Sequence, residues 1–162
     1  MGTFLIYCYI LATLVNSYWF MTARFNKGLS QDIGLSVENI ATIVNPSSLF
    51  LAILATISSW CIFLIPIFFI SQEKFILGIF LLIGIFILPR LICSAINHPK
   101  YFAKKALKNL NSERNYRLKN IKNNKKVTGD EVELYKKLLE STFNPIQNRL
   151  EILIERDHTL PR

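Results

Sequence analysis

Three long apolar segments constrain this chain more than any other feature of its sequence. They lie near residues 3–23, 47–71 and 73–97. A helix rises about 1.5 Å per residue and the hydrocarbon core of a bilayer is roughly 30 Å thick, so about 20 apolar residues are needed to cross it. The sequence therefore predicts an all-α membrane protein with three transmembrane helices.

Aromatic residues mark both ends of the first segment. Tyr7 and Tyr9 lie toward one end, and Tyr18 and Trp19 lie toward the other. Amphipathic rings of this kind collect at the two membrane interfaces. We therefore expect all four side chains to belong to interfacial belts.

The third segment is the least regular of the three. Its uninterrupted apolar run, Phe75 to Leu88, would form a helix only about 21 Å long. The crossing must therefore continue through Pro89 and Arg90, which places Arg90 roughly 9 Å inside the interface. We expect the Arg90 side chain to snorkel to lipid phosphate. A charged contact with a partner subunit is the main alternative, and Asn16 or carbonyls freed by Pro89 are candidates within the chain.

The links between segments and the distribution of charge predict a topology. Only Ser71 to Lys74 separate the second and third segments, which predicts a tight antiparallel hairpin. The formal charge of +8 lies almost wholly after Asn97, where fifteen Lys and Arg face eight acids. By the positive-inside rule, this tail and the 24–45 loop are cytoplasmic and the N-terminus is outside. Richness in Ile, Lys, Asn and Phe is typical of AT-rich coding sequences and favours a bacterial inner membrane.

The 24–45 loop contains one short amphipathic stretch, Ser36 to Val44. Val37, Ile40 and Val44 share one helical face. We interpret the stretch as a lead-in to the second membrane helix that stops near Pro46, with a helix at the membrane interface as the alternative.

Small and polar residues mark the faces on which the membrane helices are expected to pack. Lipid tails give helices no hydrophobic reason to associate, so their contacts rely on such residues. The first helix offers Cys8, Ala12 and Asn16 at four-residue spacing. The second helix offers four more, Ala52, Ala55, Thr56 and Ser59. A pore lining is the alternative interpretation of both faces.

The polar remainder divides into a basic juxtamembrane segment, 98–127, and a helical pair, 128–162, after a membrane region of residues 1–97. The juxtamembrane segment places lysines next to the bilayer, where they attract anionic headgroups. Those lysines are Lys100, Lys104, Lys105 and Lys108. Tyr101, Phe102, Ala106 and Leu110 alternate with them as in a helix lying along the bilayer. Nucleic acid is a less favoured partner because no nucleic-acid motif is present.

Two helix starts follow in the tail, one with a capping-box pattern at Thr128 to Glu131 and one at Asn144-Pro145. The apolar stripe of the two predicted helices comprises Val132, Tyr135, Leu139, Phe143, Ile146, Leu150 and Leu153. Helices of about a dozen residues are marginal alone in water, so these need a surface to cover. We interpret them as an assembly module for a protein partner or for self-association. A frayed tail is the alternative.

No arrangement of residues in the chain predicts catalysis. His98 and His158 are solitary in sequence, and nucleotide-binding glycine loops are absent. The sequence therefore favours a protein without enzymatic activity, cofactor or metal. The leading hypothesis is a small membrane subunit that anchors, assembles or regulates a larger complex through its tail. The alternatives are a homo-oligomeric channel, a bacterial immunity or defence protein and an enzyme acting on lipid.

Overall fold

The computed structural model describes residues 2–96, 99–123 and 128–155, which form six α-helices and no strands. The helices are α1 (Gly2–Ile33), α2 (Val37–Val44), α3 (Ser48–Ser71), α4 (Phe75–Ile96), α5 (Pro99–Asn123) and α6 (Gly129–Glu155). Three of them, α1, α3 and α4, are long and apolar enough to cross a bilayer. The predicted all-helical architecture with three candidate membrane helices is therefore confirmed for the described residues.

The chain divides into two compact units. The apolar unit comprises residues 1–24 and 47–97, and the polar unit comprises residues 25–46 and 98–162. The helix α1 therefore contributes its first part to one unit and its last part to the other.

The core of the apolar unit joins residues of all three candidate membrane helices. Its buried members are Tyr9, Ala12, Ile62, Ile65, Phe69 and Leu81. Most other apolar side chains of these helices are exposed, as lipid-facing residues are in a bilayer.

A short turn connects α3 to α4, and the two helices pack against each other. In the turn, the Lys74 amide donates to the Phe69 carbonyl at 3.0 Å. Glu73 adopts φ 59°, the left-handed conformation that follows many helix ends. Further along, a Cβ atom on Gly78 would lie 2.9 Å from the Pro66 carbonyl oxygen and would collide with Ile70 Cγ1. Gly78 therefore sets how closely the helices approach.

The helix α4 continues through Pro89 and Arg90 to Ile96 without interruption. This confirms the predicted extension of the third apolar segment beyond its uninterrupted run. The proline removes one backbone hydrogen bond but does not end the helix, as is common in membrane helices.

The first helix is longer than predicted, because α1 continues to Ile33 through residues assigned to a loop. Phe25 and Leu29, four residues apart, are buried and give this extension an apolar face. The helix ends where Gly34 adopts φ 77° and its amide donates to the Ser30 carbonyl.

The stretch from Ser36 to Val44 forms a helix, but the interpretation as a lead-in to the second membrane helix is wrong. The separate helix α2 begins at an N-cap, where the Ser36 hydroxyl accepts from the Asn39 amide. It buries Ile40, Ile43 and Val44 and packs on α5, whereas Val37 is exposed. The apolar face of α2 therefore packs on protein, whereas the two interpretations from the sequence were a lead-in to the second membrane helix and a helix at the membrane interface.

The predicted break at Asn144-Pro145 does not occur, since α6 is one helix from Gly129 to Glu155. Pro145 is exposed, so water can reach the carbonyl that its ring leaves without a donor. Phe143 and Ile146 on either side are 1% and 0% exposed. Their burial offsets a proline cost of about 3 kcal/mol, and the helix continues.

The juxtamembrane segment forms α5, but its apolar face does not point to lipid. Phe102, Ala106 and Leu110 are buried within the polar unit, and the Phe102 ring stacks on Phe25 at 5.9 Å between centroids. The helix packs on α2 and α6. The prediction that the apolar face of this helix lies along the bilayer is therefore wrong, because other helices of the polar unit cover that face.

Candidate functional site

Two of the predicted packing residues form a direct polar contact between α1 and α3. Ser59 Oγ lies 2.9 Å from Asn16 Oδ1, and Asn16 Nδ2 donates to the Ala12 carbonyl at 3.0 Å. Ala12 and Ala55 are buried nearby. The contact satisfies polar groups that hydrocarbon would leave without partners.

The remaining predicted packing residues are less enclosed. Cys8 is half-buried against the apolar core, and Ala52 is half-buried on α3. Thr56 is exposed and donates to the Ala52 carbonyl of its own helix. The small face of α3 is therefore only partly covered by α1.

An open groove follows the uncovered part of that face. Its volume is about 440 Å³. The residues that line it are Asn16, Trp19, Ala52, Ala55, Thr56, Ser59, Trp60 and Phe63. Aromatic rings thus flank a wall that carries an amide and two hydroxyls within otherwise apolar surroundings.

Tyr9 has a role that the sequence did not predict. It is fully buried, and its hydroxyl donates to the Leu81 carbonyl at 2.7 Å. A Cβ atom on Gly84 would lie 3.0 Å from that hydroxyl oxygen, so the glycine permits the approach. The assignment of Tyr9 to an interfacial belt is therefore wrong: the residue ties α1 to α4.

Ser17 is another polar residue enclosed in the apolar unit. Its hydroxyl is buried and has no hydrogen-bond partner in the described part of the chain. The Cys93 sulfur lies 4.0 Å from the Ser17 carbonyl oxygen. The two residues place α1 next to α4 one helical turn from Arg90.

Arg90 is exposed on α4. Within the described ranges it makes neither an ion pair nor a hydrogen bond. Asn16, one of its candidate partners, uses its amide for Ser59 and Ala12 instead. The contact of Arg90 with lipid phosphate or a partner subunit stays a prediction.

The predicted apolar stripe of the tail lies on one helix, α6. Leu139, Phe143, Ile146 and Leu150 are buried, and α6 packs on α5. Val132, Tyr135 and Leu153 are half-buried. The stripe therefore covers another helix of the same chain.

A second apolar face on α6 remains uncovered. Leu134 is 70% exposed, Leu138 is 64% exposed and Ile152 is 39% exposed. Their spacing places them on one side of the helix, away from the buried stripe. We call these three residues the outer face of α6.

Polar contacts fix α6 within the polar unit. Arg149 donates to one carboxylate oxygen of Asp32, at the end of α1, with its two nitrogens at 2.7 and 2.9 Å. Arg114 of α5 lies 3.7 Å from the carboxylate of Glu140. Such exposed pairs add little stability but restrict orientation.

Another polar contact holds α2 against α5. The Asn109 side chain donates to the Val44 carbonyl at 2.8 Å, at the end of α2 where no helical donor is available. No signal in the sequence singled out Asn109, because its partner is 65 residues away.

The predicted lysines of α5 differ in their surroundings. Lys100, Lys104 and Lys108 are exposed, and Lys105 is half-buried. Lys100 and Lys105 each take part in an interaction within the chain. Lys104 and Lys108 therefore present the most accessible positive charge.

The start of α6 carries a side chain with a perturbed pKa. Glu131 accepts from the Thr128 amide at 2.8 Å and from its hydroxyl at 3.0 Å, as the capping-box pattern predicts. These bonds favour the ionised form and lower the pKa of Glu131, with the backbone bond the largest cause.

Among the described residues, no group of three or more His, Cys, Asp or Glu side chains could hold a metal ion. His98 and His158 lie outside those residues. Comparisons with protein-family models, curated proteins and solved structures returned no match.

Proposed function

We propose that this protein is a non-enzymatic integral membrane subunit that anchors, assembles or regulates a larger membrane complex through its polar C-terminal helices. The observation that supports this role is the outer face of α6. Two leucines on consecutive turns are largely exposed although α6 already buries four residues elsewhere. Covering such a face stabilises a complex by about 25 cal/mol per Å² of apolar surface.

The polar unit suits this role because α6 is held in place. Its buried stripe packs on α5, and Arg149 binds Asp32. A surface that is ordered before binding loses less entropy when a partner docks. The partner is another protein or a second copy of this chain.

The test compares two variants of the full-length protein in mild detergent. Leu134→Gln with Leu138→Gln removes the two most exposed side chains of the outer face and keeps good helix formers. Lys136→Gln with Lys137→Gln is the matched control, since these exposed residues lie on the same turns. The mass of the protein component, from light scattering, is expected to exceed one chain for the wild type and the control, and to fall to one chain for the leucine variant. A wild-type protein that is a monomer without a partner contradicts the proposal.

The proposed topology places the N-terminus outside and the polar C-terminal helices in the cytoplasm of a bacterial inner membrane. The helices α3 and α4 then cross as a hairpin whose turn, at Glu73, faces outside. In a background that lacks the native cysteines Cys8, Cys61 and Cys93, Glu73→Cys is expected to react with a membrane-impermeant maleimide in intact cells. Lys136→Cys should react only after permeabilisation, and the opposite pattern would show that the topology is reversed.

A homo-oligomeric channel is the second candidate, and the groove between α1 and α3 favours it. Asn16, Thr56 and Ser59 place polar groups along an otherwise apolar wall. Purified protein in liposomes would then carry an ion current that Ser59→Leu reduces. The absence of an ion current at every applied voltage would exclude a channel.

A further inference from the structure

The exposed side of α5 forms a continuous basic surface. Phe102, Ala103, Ala106 and Leu110 are buried on one side of the helix. The opposite side carries exposed residues three or four positions apart, which places them in one row. That row comprises Lys104, Lys108, Asn111, Asn115, Lys119 and Lys122. It is about 27 Å long at 1.5 Å per residue.

The charge of this row is not neutralised within the described part of the chain. Glu113, the acid of α5, binds Arg117 at 2.7 Å on the flank of the helix. Two acids of the neighbouring elements are also engaged, because Glu140 pairs with Arg114 and Asp32 pairs with Arg149. The lysines at 104, 108, 119 and 122, which we call the lysine face, form no ion pair with a described residue.

The lysine face also begins close to the membrane along the chain. The candidate membrane helix α4 ends at Ile96 and α5 begins at Pro99. Lys104 is therefore eight residues beyond α4, and the chain between them cannot stretch further than about 3.6 Å per residue. Tethering of this kind keeps a local charge near the headgroups.

We propose that the lysine face binds the phosphate-bearing headgroups of anionic lipids in the bilayer that holds the chain. The binding is electrostatic, since the apolar side of α5 is occupied by α2, α6 and Phe25 and does not insert into lipid. Lysine suits a mobile, loosely defined phosphate layer because its ammonium is a compact charge on a flexible stem. The row also holds no arginine, the residue that favours bidentate contacts with nucleic acid. The inference does not depend on the assembly role of α6.

The test measures the lipid preference of the full-length protein. The protein is reconstituted in phosphatidylcholine vesicles that contain trace spin-labelled phosphatidylglycerol or spin-labelled phosphatidylcholine. The ratio of the two association constants is read from the motionally restricted fraction of each lipid. The wild type is expected to prefer phosphatidylglycerol, and 1 M salt should abolish the preference.

Two variants that lose the same charge show which lysines cause the preference for phosphatidylglycerol. Lys104→Gln with Lys108→Gln is expected to weaken phosphatidylglycerol binding at this site by about fivefold for each lysine. Lys136→Gln with Lys137→Gln on α6 removes the same charge and should leave the preference unchanged. Circular dichroism confirms that both variants keep their helices.

Four results would overturn the proposal. The first is an unchanged preference in the Lys104 and Lys108 variant, and the second is an equal loss in both variants, which would indicate net charge alone. The third is displacement by inorganic phosphate at constant ionic strength, which would indicate a site for the free ion. If a duplex RNA or DNA binds the lysine face and the lipid preference is insensitive to it, the partner is nucleic acid and the inference is wrong.

Discussion

Replacing Phe143 with alanine tests whether packing on α5 is what orders α6. Phe143 is 1% exposed, and the Arg117 guanidinium carbon lies 5.6 Å from its ring centroid. Removal of a buried phenylalanine ring costs about 3–5 kcal/mol, because the cavity it leaves does not fully collapse. The lost cation–π contact adds about 0.5–1 kcal/mol, the range for exposed pairs, since Arg117 is partly exposed. The loss approaches the total stability of a small unit.

Hydrogen–deuterium exchange of the full-length protein in detergent measures this loss locally. Amides of α6 are expected to exchange more than about a hundredfold faster in Phe143→Ala, since each 1.4 kcal/mol corresponds to a factor of ten. Lys136→Ala is the control, because this exposed side chain on the same helix lies outside the outer face and should contribute within about 0.5 kcal/mol. Equal exchange in the wild type and Phe143→Ala, or equal acceleration in both variants, would refute the packing of α6 described above.

Three further predictions concern other contacts. Gly78→Ala should destabilise the α3–α4 pair by about 1–3 kcal/mol, because its Cβ would meet the Pro66 carbonyl; thermal unfolding in detergent measures this loss. The control is Gly28→Ala, which should stabilise the protein by about 0.5–1 kcal/mol because the space around its Cβ is open. Tyr9→Phe removes the hydrogen bond to the Leu81 carbonyl and should lower the stability by about 0.6–1.7 kcal/mol in the same assay. The control, Tyr7→Phe at an exposed position, should leave the stability unchanged. The pKa of Glu131 is lower in the folded protein than in the unfolded chain, so the ionised side chain stabilises the first turn of α6. This stabilisation is complete at pH values above the unfolded pKa of about 4.3. It is lost as the pH falls through the pKa of the folded protein. Helical NMR shifts at residues 129–133 should follow this titration, and Glu131→Gln should remove it.

Apolar length was enough to predict the three candidate membrane helices, because crossing hydrocarbon requires a fixed number of apolar residues whatever the helices contact. It also predicted the passage of α4 through Pro89 and Arg90, since the shorter run could not span. The capping pattern at Thr128 was equally informative, because both partners lie within three residues of each other.

The errors concern features that depend on distant contacts. Asn144-Pro145 carries the same local signal as a true helix start, but the burial of Phe143 and Ile146 on α5 keeps α6 continuous. The extension of α1 past Arg24 is likewise ordered by Phe25, which stacks on Phe102 far along the chain. Tyr9 was assigned to an interfacial belt because aromatic position alone does not reveal its bond to Leu81, 72 residues away.

The outer face of α6 could have been noticed in the sequence but not interpreted. Leu134, Leu138 and Ile152 are apolar residues at helical spacing, and so are the residues of the buried stripe. Which of the two faces packs on α5 is settled only by the structure. The proposed assembly surface therefore moves from the stripe that the sequence favoured to the opposite side of the same helix.

Site-specific photo-crosslinking in native membranes tests the central claim most directly. A photoreactive residue replaces Leu138 on the outer face of α6 or, as a control, Tyr116, which is 61% exposed on α5. We expect one discrete protein adduct at Leu138, none at Tyr116, and loss of the adduct when Leu134→Gln is added. No protein adduct at Leu138, or the same adducts at both positions, would contradict assembly through the outer face.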